Sequence, residues 1–162
     1  MHIRYLKILM TLIASFMCIF YVVQNFANPN AAFEAFAYVM GGADHAVYAN
    51  TFAFHISNPT LTWLALLLVF AFELLAGLLL LKGSYDMWQA RTADVGTFTI
   101  SKRWAEIGAG VGILVWFGFF GVIGSAFFQM WQTSIGSGSM DDAFQIFISL
   151  AVTLLFLNQP DR

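Results

Sequence analysis

Four long apolar stretches constrain the fold of this chain more than any other feature. They cover roughly residues 5–24, 61–81, 104–128 and 142–157. A helix needs about 20 mostly apolar residues to cross the hydrocarbon core of a bilayer. With 60% hydrophobic and 10% charged residues, the chain is also too apolar for a soluble domain of 162 residues. We therefore predict an all-α membrane protein, one domain of four transmembrane helices in a bundle.

The basic residues predict the orientation of these helices. If the first helix enters from the cytoplasm and the chain crosses four times, the seven basic residues all fall on one side. They are Arg4, Lys7, Lys82, Arg91, Lys102, Arg103 and Arg162. The two opposite loops, 25–60 and 129–142, contain neither Lys nor Arg. By the positive-inside rule, both termini are expected in the cytoplasm. The basic start also resembles a secretory signal, but no small-x-small cleavage site follows it.

The long outer loop, residues 25–60, should contain a short helix, because a plain connector is rarely this long. Asn28 is a favourable N-cap before Pro29, and Gly41-Gly42 supplies a stop, so we predict a helix over 29–40. Phe33, Phe36, Ala37 and Met40 then share one face, which either caps the bundle or lies in the membrane interface. The near absence of basic residues favours the cap.

Similar signals predict where the spans begin and end. Asn58-Pro59 repeats the N-cap and proline pattern before the second span, which has no breaker before about Arg91. Ser101 is a candidate N-cap for the third span. Ser139 and Asp142 form a capping-box pattern, which predicts that the fourth helix opens near residue 142, after a flexible loop at 135–139.

Glu73 is the most informative single residue, because it interrupts the apolar run 61–81. A carboxyl at the centre of a bilayer costs about 3 kcal/mol on insertion scales, so it should be neutral, paired or turned toward protein. Counting residues from the outer helix ends places four polar or aromatic side chains at its depth: Thr11, Ser15, Trp116 and Thr153. None is a cation. Glu73 is therefore either a neutral hydrogen-bonding group, a proton or ion relay, or a contact to another subunit.

The third span is rich in glycine, with Gly108, Gly112, Gly118, Gly121 and Gly124 at helical spacings. Small residues four apart let membrane helices approach closely. This pattern predicts either close packing inside the bundle or a face for another polypeptide.

Other candidate sites are weak. Asp44, His45 and His55 carry groups that suit divalent ions, but their spacing matches no known ligand pattern, so hydrogen-bonded loop residues are favoured. Cys18 is the one cysteine, which excludes an internal disulfide and favours a small buried hydrophobe. The three histidines lie outside the spans, so a bundle haem is not expected. We expect no cofactor and no enzymatic activity.

Several segments together resemble a bacterial family of predicted small integral membrane proteins with a domain of unknown function. They are residues 73–79, 87–91, 114–117, 128–132 and 160–161. The resemblance spans nearly the whole chain and implies four helices and a bacterial inner membrane. Members often carry a glutamate just before the segment that matches residues 128–132, where this chain has Ser125-Ala126-Phe127. The family brings no established activity.

Two functional hypotheses remain. The first is an accessory subunit that packs against a larger membrane complex, or against further copies of itself; the glycine-rich helix and the 18 phenylalanines favour it. The second is a small transporter or channel component that uses Glu73 to move protons or ions. Membrane lipids are expected contacts, and nucleic acid is not.

Overall fold

The protein is all-helical in the part that the computed structural model describes, residues 2–48 and 50–161. The elements are α1 (His2–Ala27), α2 (Pro29–Met40), α3 (Pro59–Gln89), α4 (Val95–Ser101), α5 (Arg103–Ile113), a π-helical segment (Leu114–Phe127), a 3-10 turn (Met130–Gln132) and α6 (Ser134–Leu157). Four stretches are long and apolar enough to cross a membrane: His2–Ala27, Pro59–Gln89, Val95–Phe127 and Ser134–Leu157. The predicted class is confirmed: four such helices and an additional short helix.

The four long helices pack side by side in a closed circuit. α1 lies against α3, α3 against α5, α5 and the π-helical segment against α6, and α6 against α1. Ser15 donates to the carbonyl of Gly77 and Ser84 to that of Ile8, so α1 and α3 run antiparallel. We call the end of the circuit that holds Arg4 and Lys7 the basic end. The opposite end, with α2 and residues 41–58, is the loop end.

Glycine allows the backbones of neighbouring helices to touch. A Cβ added at Gly83 would collide with the backbone of Ala105 on α5. A Cβ at Gly108 would lie 2.7 Å from the nitrogen of Leu80 on α3. Small residues thus bring the backbones of α3 and α5 into direct contact. Such close packing stabilises helix association in a membrane, where the hydrophobic effect between helices is weak.

The core contains Cys18, which is fully buried with Ala76 and Leu80. α2 lies across the loop end, where Phe33 stacks on Trp63 of α3 with ring centroids 4.7 Å apart. The apolar face of α2 therefore packs onto the long helices, as expected if α2 caps the bundle.

The predicted bounds of α2 and the cap of α3 are confirmed. α2 spans Pro29–Met40, and the side chain of Asn58 accepts hydrogen bonds from the backbone of Thr60 and Leu61. Asn28 occupies the predicted N-cap position of α2, but its side chain makes no capping hydrogen bond there. Its amide nitrogen donates instead to the carbonyl of Gln24, one turn back, at the end of α1.

The predicted start of α6 is also wrong. α6 begins at Ser134, capped by Thr133, whose hydroxyl accepts from the nitrogen of Gly136 at 2.9 Å. Ser139 donates to the carbonyl of Ile135 within the helix and caps nothing. A Cβ at Gly136 would lie 2.6 Å from the hydroxyl oxygen of Thr133, so this glycine is part of the cap and does not mark a flexible loop.

The third span starts earlier than predicted, and its second half is not an α-helix. It starts with α4, whose N-cap is Asp94, and Ser101 donates back to Phe98 without capping α5. From Leu114 the helix becomes π-helical, and it closes with a bond of 2.9 Å from the nitrogen of Phe128 to the carbonyl of Ile123. Runs of π-helix are rare and usually a single turn. Hydropathy does not distinguish them from α-helix, so this segment was missed.

Candidate functional site

Glu73 lies inside the protein, on the face of α3 that also buries Phe70 and Ala76. Its side chain is 2% exposed. The amide nitrogen of Asn25, near the end of α1, donates to Glu73 Oε2 at 3.3 Å. In the part of the chain that the structure describes, Glu73 forms no salt bridge. The buried carboxyl of Glu73 is therefore held in place by the side-chain amide of Asn25.

The four residues predicted at the depth of Glu73 do not assemble around it. Thr11 donates to Lys7 and Thr153 to Ser149, each one turn back in its own helix. Ser15 donates to the carbonyl of Gly77 at 2.8 Å, one turn below Glu73. Trp116 is buried, with its ring 6.4 Å from that of Tyr21.

The depth count failed because α1 and α3 do not end at the same level. Ser15 lies opposite Gly77, so Ile19 lies opposite Glu73. α3 starts about six residues, or about 9 Å, beyond the end of α1 at the loop end. Asn25 was missed because the apolar run stops at Gln24, which left residue 25 in the predicted loop.

Next to Asn25, a cavity of about 280 Å³ lies at the loop end. It is a partly open cavity, lined by α2, the outer half of α3, the π-helical segment and the start of α6. Its walls are mainly apolar, with Asn25 and Ser139 as polar groups. Asn25 therefore stands between the cavity and Glu73.

The histidine candidates do not form a metal site with Asp44. Both ring nitrogens of His45 face carbonyl oxygens, Nδ1 that of Ala43 at 2.8 Å and Nε2 that of Phe128 at 2.7 Å. The ring of His55 lies 6.4 Å away, and Asp44 accepts a hydrogen bond from Tyr38. Within residues 2–48 and 50–161, no three side chains of His, Cys, Asp or Glu are placed to hold a metal ion.

The glycines of the third span do not form one continuous face. A Cβ at Gly112 would meet Leu150 of α6 at 2.6 Å, and one at Gly124 would meet Met130 at 2.6 Å. Gly108 packs on α3 as described. The nearest atoms to Gly118 and Gly121 belong to their own helical segment. Much of the glycine pattern is thus used in packing within the chain.

A buried ionic cluster at the basic end was not predicted from the sequence. Asp161 accepts from Lys7 Nζ at 2.6 Å and from Lys102 Nζ at 2.5 Å. Both lysines also donate to the carbonyl of Leu157, at 3.0 and 2.9 Å, at the C-terminus of α6. Cations are favoured there by the helix dipole. Burial alone would raise the pKa of Asp161, but the hydrogen bonds and charges of the two lysines outweigh it and hold that pKa below its usual value.

This cluster ties three helices together. Lys7 is fully buried, and Lys102 and Asp161 are nearly so. Beside it, Arg4 donates to the carbonyl of Ala93 at 2.6 Å. In the sequence, Lys7 and Lys102 at helix ends indicate only the orientation in the membrane, and nothing there pairs them with Asp161.

α6 carries a polar face that the sequence analysis also missed. Gly138, Asp142, Gln145 and Ser149 follow one another at spacings of four, three and four residues and are all exposed. Such spacing places them on one side of an α-helix. No atom lies within 4 Å of a Cβ added at Gly138. We call these four residues the α6 polar face.

No curated protein and no solved structure matches this chain. A family described as "Predicted small integral membrane protein (DUF2165)" matches residues 3–160, and it agrees with the apolar helices of the fold. The chain therefore belongs to this family of integral membrane proteins.

Proposed function

We propose that the protein is a non-catalytic accessory subunit that docks through the α6 polar face onto a transmembrane helix of another polypeptide. The observation that carries this proposal is Gln145, an exposed amide in the middle of a membrane-spanning helix. Polar side chains that would otherwise face lipid are typical of contacts between membrane helices.

The depth of Gln145 supports this assignment. It lies 12 residues before Leu157, where α6 ends at the basic end. At 1.5 Å per residue this is about 18 Å, which is near the middle of a hydrocarbon core of about 30 Å. Here an amide without a protein partner has no water to bond, so burial against a second helix stabilises it.

The chemistry of the face indicates the kind of partner. Gly138 leaves room for close approach, while the Gln145 amide offers hydrogen bonds, and the Ser149 hydroxyl, which donates to the carbonyl of Gln145, can still accept one. The partner should therefore be a helix with small and hydrogen-bonding residues. Asp142, nearer the loop end, adds a carboxylate that a basic residue of the partner would match.

Two substitutions on α6 form a matched test. Ser149→Trp should release the partner during purification in mild detergent, because a large side chain blocks close approach. Leu155→Trp, at an exposed position off the polar face, should leave the complex intact. Gln145→Leu should weaken the complex while the protein stays folded. Copurification of the partner is quantified by mass spectrometry, and cross-linking to a second copy would identify a homo-oligomer.

A complex that survives both Ser149→Trp and Gln145→Leu would contradict this docking site. Recovery of the wild-type protein as a monomer without partners would contradict the accessory role itself.

We infer that the membrane is the bacterial inner membrane, with both termini in the cytoplasm. The six basic residues in the described part of the chain support this, because they all lie toward the basic end. Lys82 and Arg103 flank the ring of Trp104 there, at 5.8 and 5.7 Å. The positive-inside rule assigns such an end to the cytoplasm.

A second candidate function, proton or ion movement, rests on Glu73. Its burial, its amide partner and the nearby cavity favour this alternative. Glu73→Gln keeps an acceptor for Asn25 but cannot ionise. If Glu73→Gln assembles normally and yet behaves like a deletion strain in growth, a proton or ion relay becomes the better explanation. Normal growth with Glu73→Gln would contradict it.

A further inference from the structure

The cavity at the loop end carries an inference that is independent of the docking face. We propose that it binds a neutral, ring-sized apolar molecule that bears one hydroxyl or carbonyl group. Size is the first argument. An engineered, dry cavity of about 150 Å³ accommodates benzene, and this cavity is about 280 Å³. The volume therefore suits one substituted ring.

The lining selects a neutral molecule. The cavity wall contains no Lys, Arg, His, Asp or Glu side chain among the residues that the structure describes. A charged ligand would lose its hydration there without gaining a counter-charge, which is strongly unfavourable. Phe36, Phe70 and Phe120 supply aromatic surface, and rings pack well against each other edge to face.

Asn25 supplies the polar contact. Its amide nitrogen donates to Glu73, while no donor to its amide oxygen is found among the described side chains. Asn25 lines the cavity, so its amide oxygen is available to accept from a ligand hydroxyl. The second hydrogen of the amide nitrogen can donate to a ligand carbonyl. A ligand bonded to Asn25 would stand one side chain away from Glu73.

The wall of the cavity includes the unusual backbone. Phe119, Phe120, Ile123 and Gly124 line it from the π-helical segment. π-helical geometry is rare compared with α-helix and is frequently found at functional sites. The α6 residues that line the cavity, Ile135, Gly136 and Ser139, do not belong to the α6 polar face.

The probe is a phenol with a photoreactive trifluoromethyl-diazirine in the para position, applied to the purified protein in detergent. We expect saturable labelling of α3 and the π-helical segment. As competitor, 4-propylphenol should be more effective than propylbenzene by about 3- to 10-fold, the effect of one hydrogen bond. In Asn25→Leu this difference should disappear.

Two alanines of α3 provide the matched variants. Ala65 lines the cavity, whereas Ala71 is exposed elsewhere on the helix. Ala65→Phe should abolish saturable labelling, and Ala71→Phe should preserve it, with thermal melting as the check on folding. If Ala65→Phe does not fold, Ala35→Leu, which fills the cavity from α2, replaces it and should likewise abolish saturable labelling.

Three outcomes would overturn the proposal. The first is equal labelling of the filled and control variants. The second is equal competition by the phenol and the hydrocarbon in the wild type. The third is a copurified lipid that Ala65→Phe displaces, since the occupant would then be an acyl chain.

Discussion

Asp161 is the anion that permits two lysines to be buried at the basic end. Removal of one member of a buried ionic group leaves an uncompensated charge, and this typically destabilises a protein by about 3–5 kcal/mol. The cluster has two cations for one carboxylate, so loss of Asp161 leaves Lys7 and Lys102 facing each other without a counter-ion.

We therefore expect Asp161→Asn to lower the free energy of unfolding by about 3 kcal/mol. The chain offers a matched control in Lys82 and Asp86, an ion pair of 2.7 Å on the surface of α3. Asp86→Asn should change stability by less than about 1 kcal/mol, because exposed pairs contribute little. Thermal melting in detergent measures both. Equal shifts in the two variants would contradict the structural role of Asp161.

The same cluster predicts a dependence on pH. The pKa of Asp161 is held below its usual value, so the carboxylate stabilises the folded state fully above that usual value, about 3.9. This contribution is lost as the pH falls through the folded-state pKa. The difference in stability between wild type and Asp161→Asn should thus be constant from pH 7 to about pH 5 and shrink below pH 4. A difference that grows on acidification would contradict the assignment.

Among the elements, α3 and α5 form the closest contact. Gly83→Ala should destabilise the protein by about 1–3 kcal/mol, because the added methyl group overlaps the backbone of Ala105. Gly110 lies on the same pair of helices but faces open space. Gly110→Ala should leave stability unchanged or slightly raised, since alanine favours helix. Comparable losses in both variants would contradict the predicted backbone contact.

At this scale the sequence predicted what depends on local chemistry. Hydropathy gave the four long helices, and proline with a preceding Asn gave the starts of α2 and α3. The start of α6 was missed because Thr133, and not Ser139, is the N-cap. Gly136, predicted to lie in a flexible loop, is part of the first turn of the helix. The stagger of α1 and α3, which puts Ile19 and not Thr11 at the level of Glu73, is set by tertiary packing and leaves no periodic signal.

For the whole molecule, orientation in the membrane is the main prediction. Single cysteines at Asp44 and Ser134, the first residue of α6, should react with an impermeant thiol reagent in intact spheroplasts, and one at Thr92 should react only after lysis. All three positions are exposed. The background is Cys18→Ala, a replacement of similar size in the core. Labelling of Thr92 alone in intact spheroplasts would reverse the orientation.

The ionic cluster joins residues that are synthesised at very different times. Lys7 and Asp161 are 154 residues apart. At a synthesis rate of about 5–20 residues per second, roughly 8–30 s pass between the appearance of the two residues. During that interval the ammonium group of Lys7 lacks its partner Asp161. Closure of the basic end therefore follows the synthesis of all four long helices.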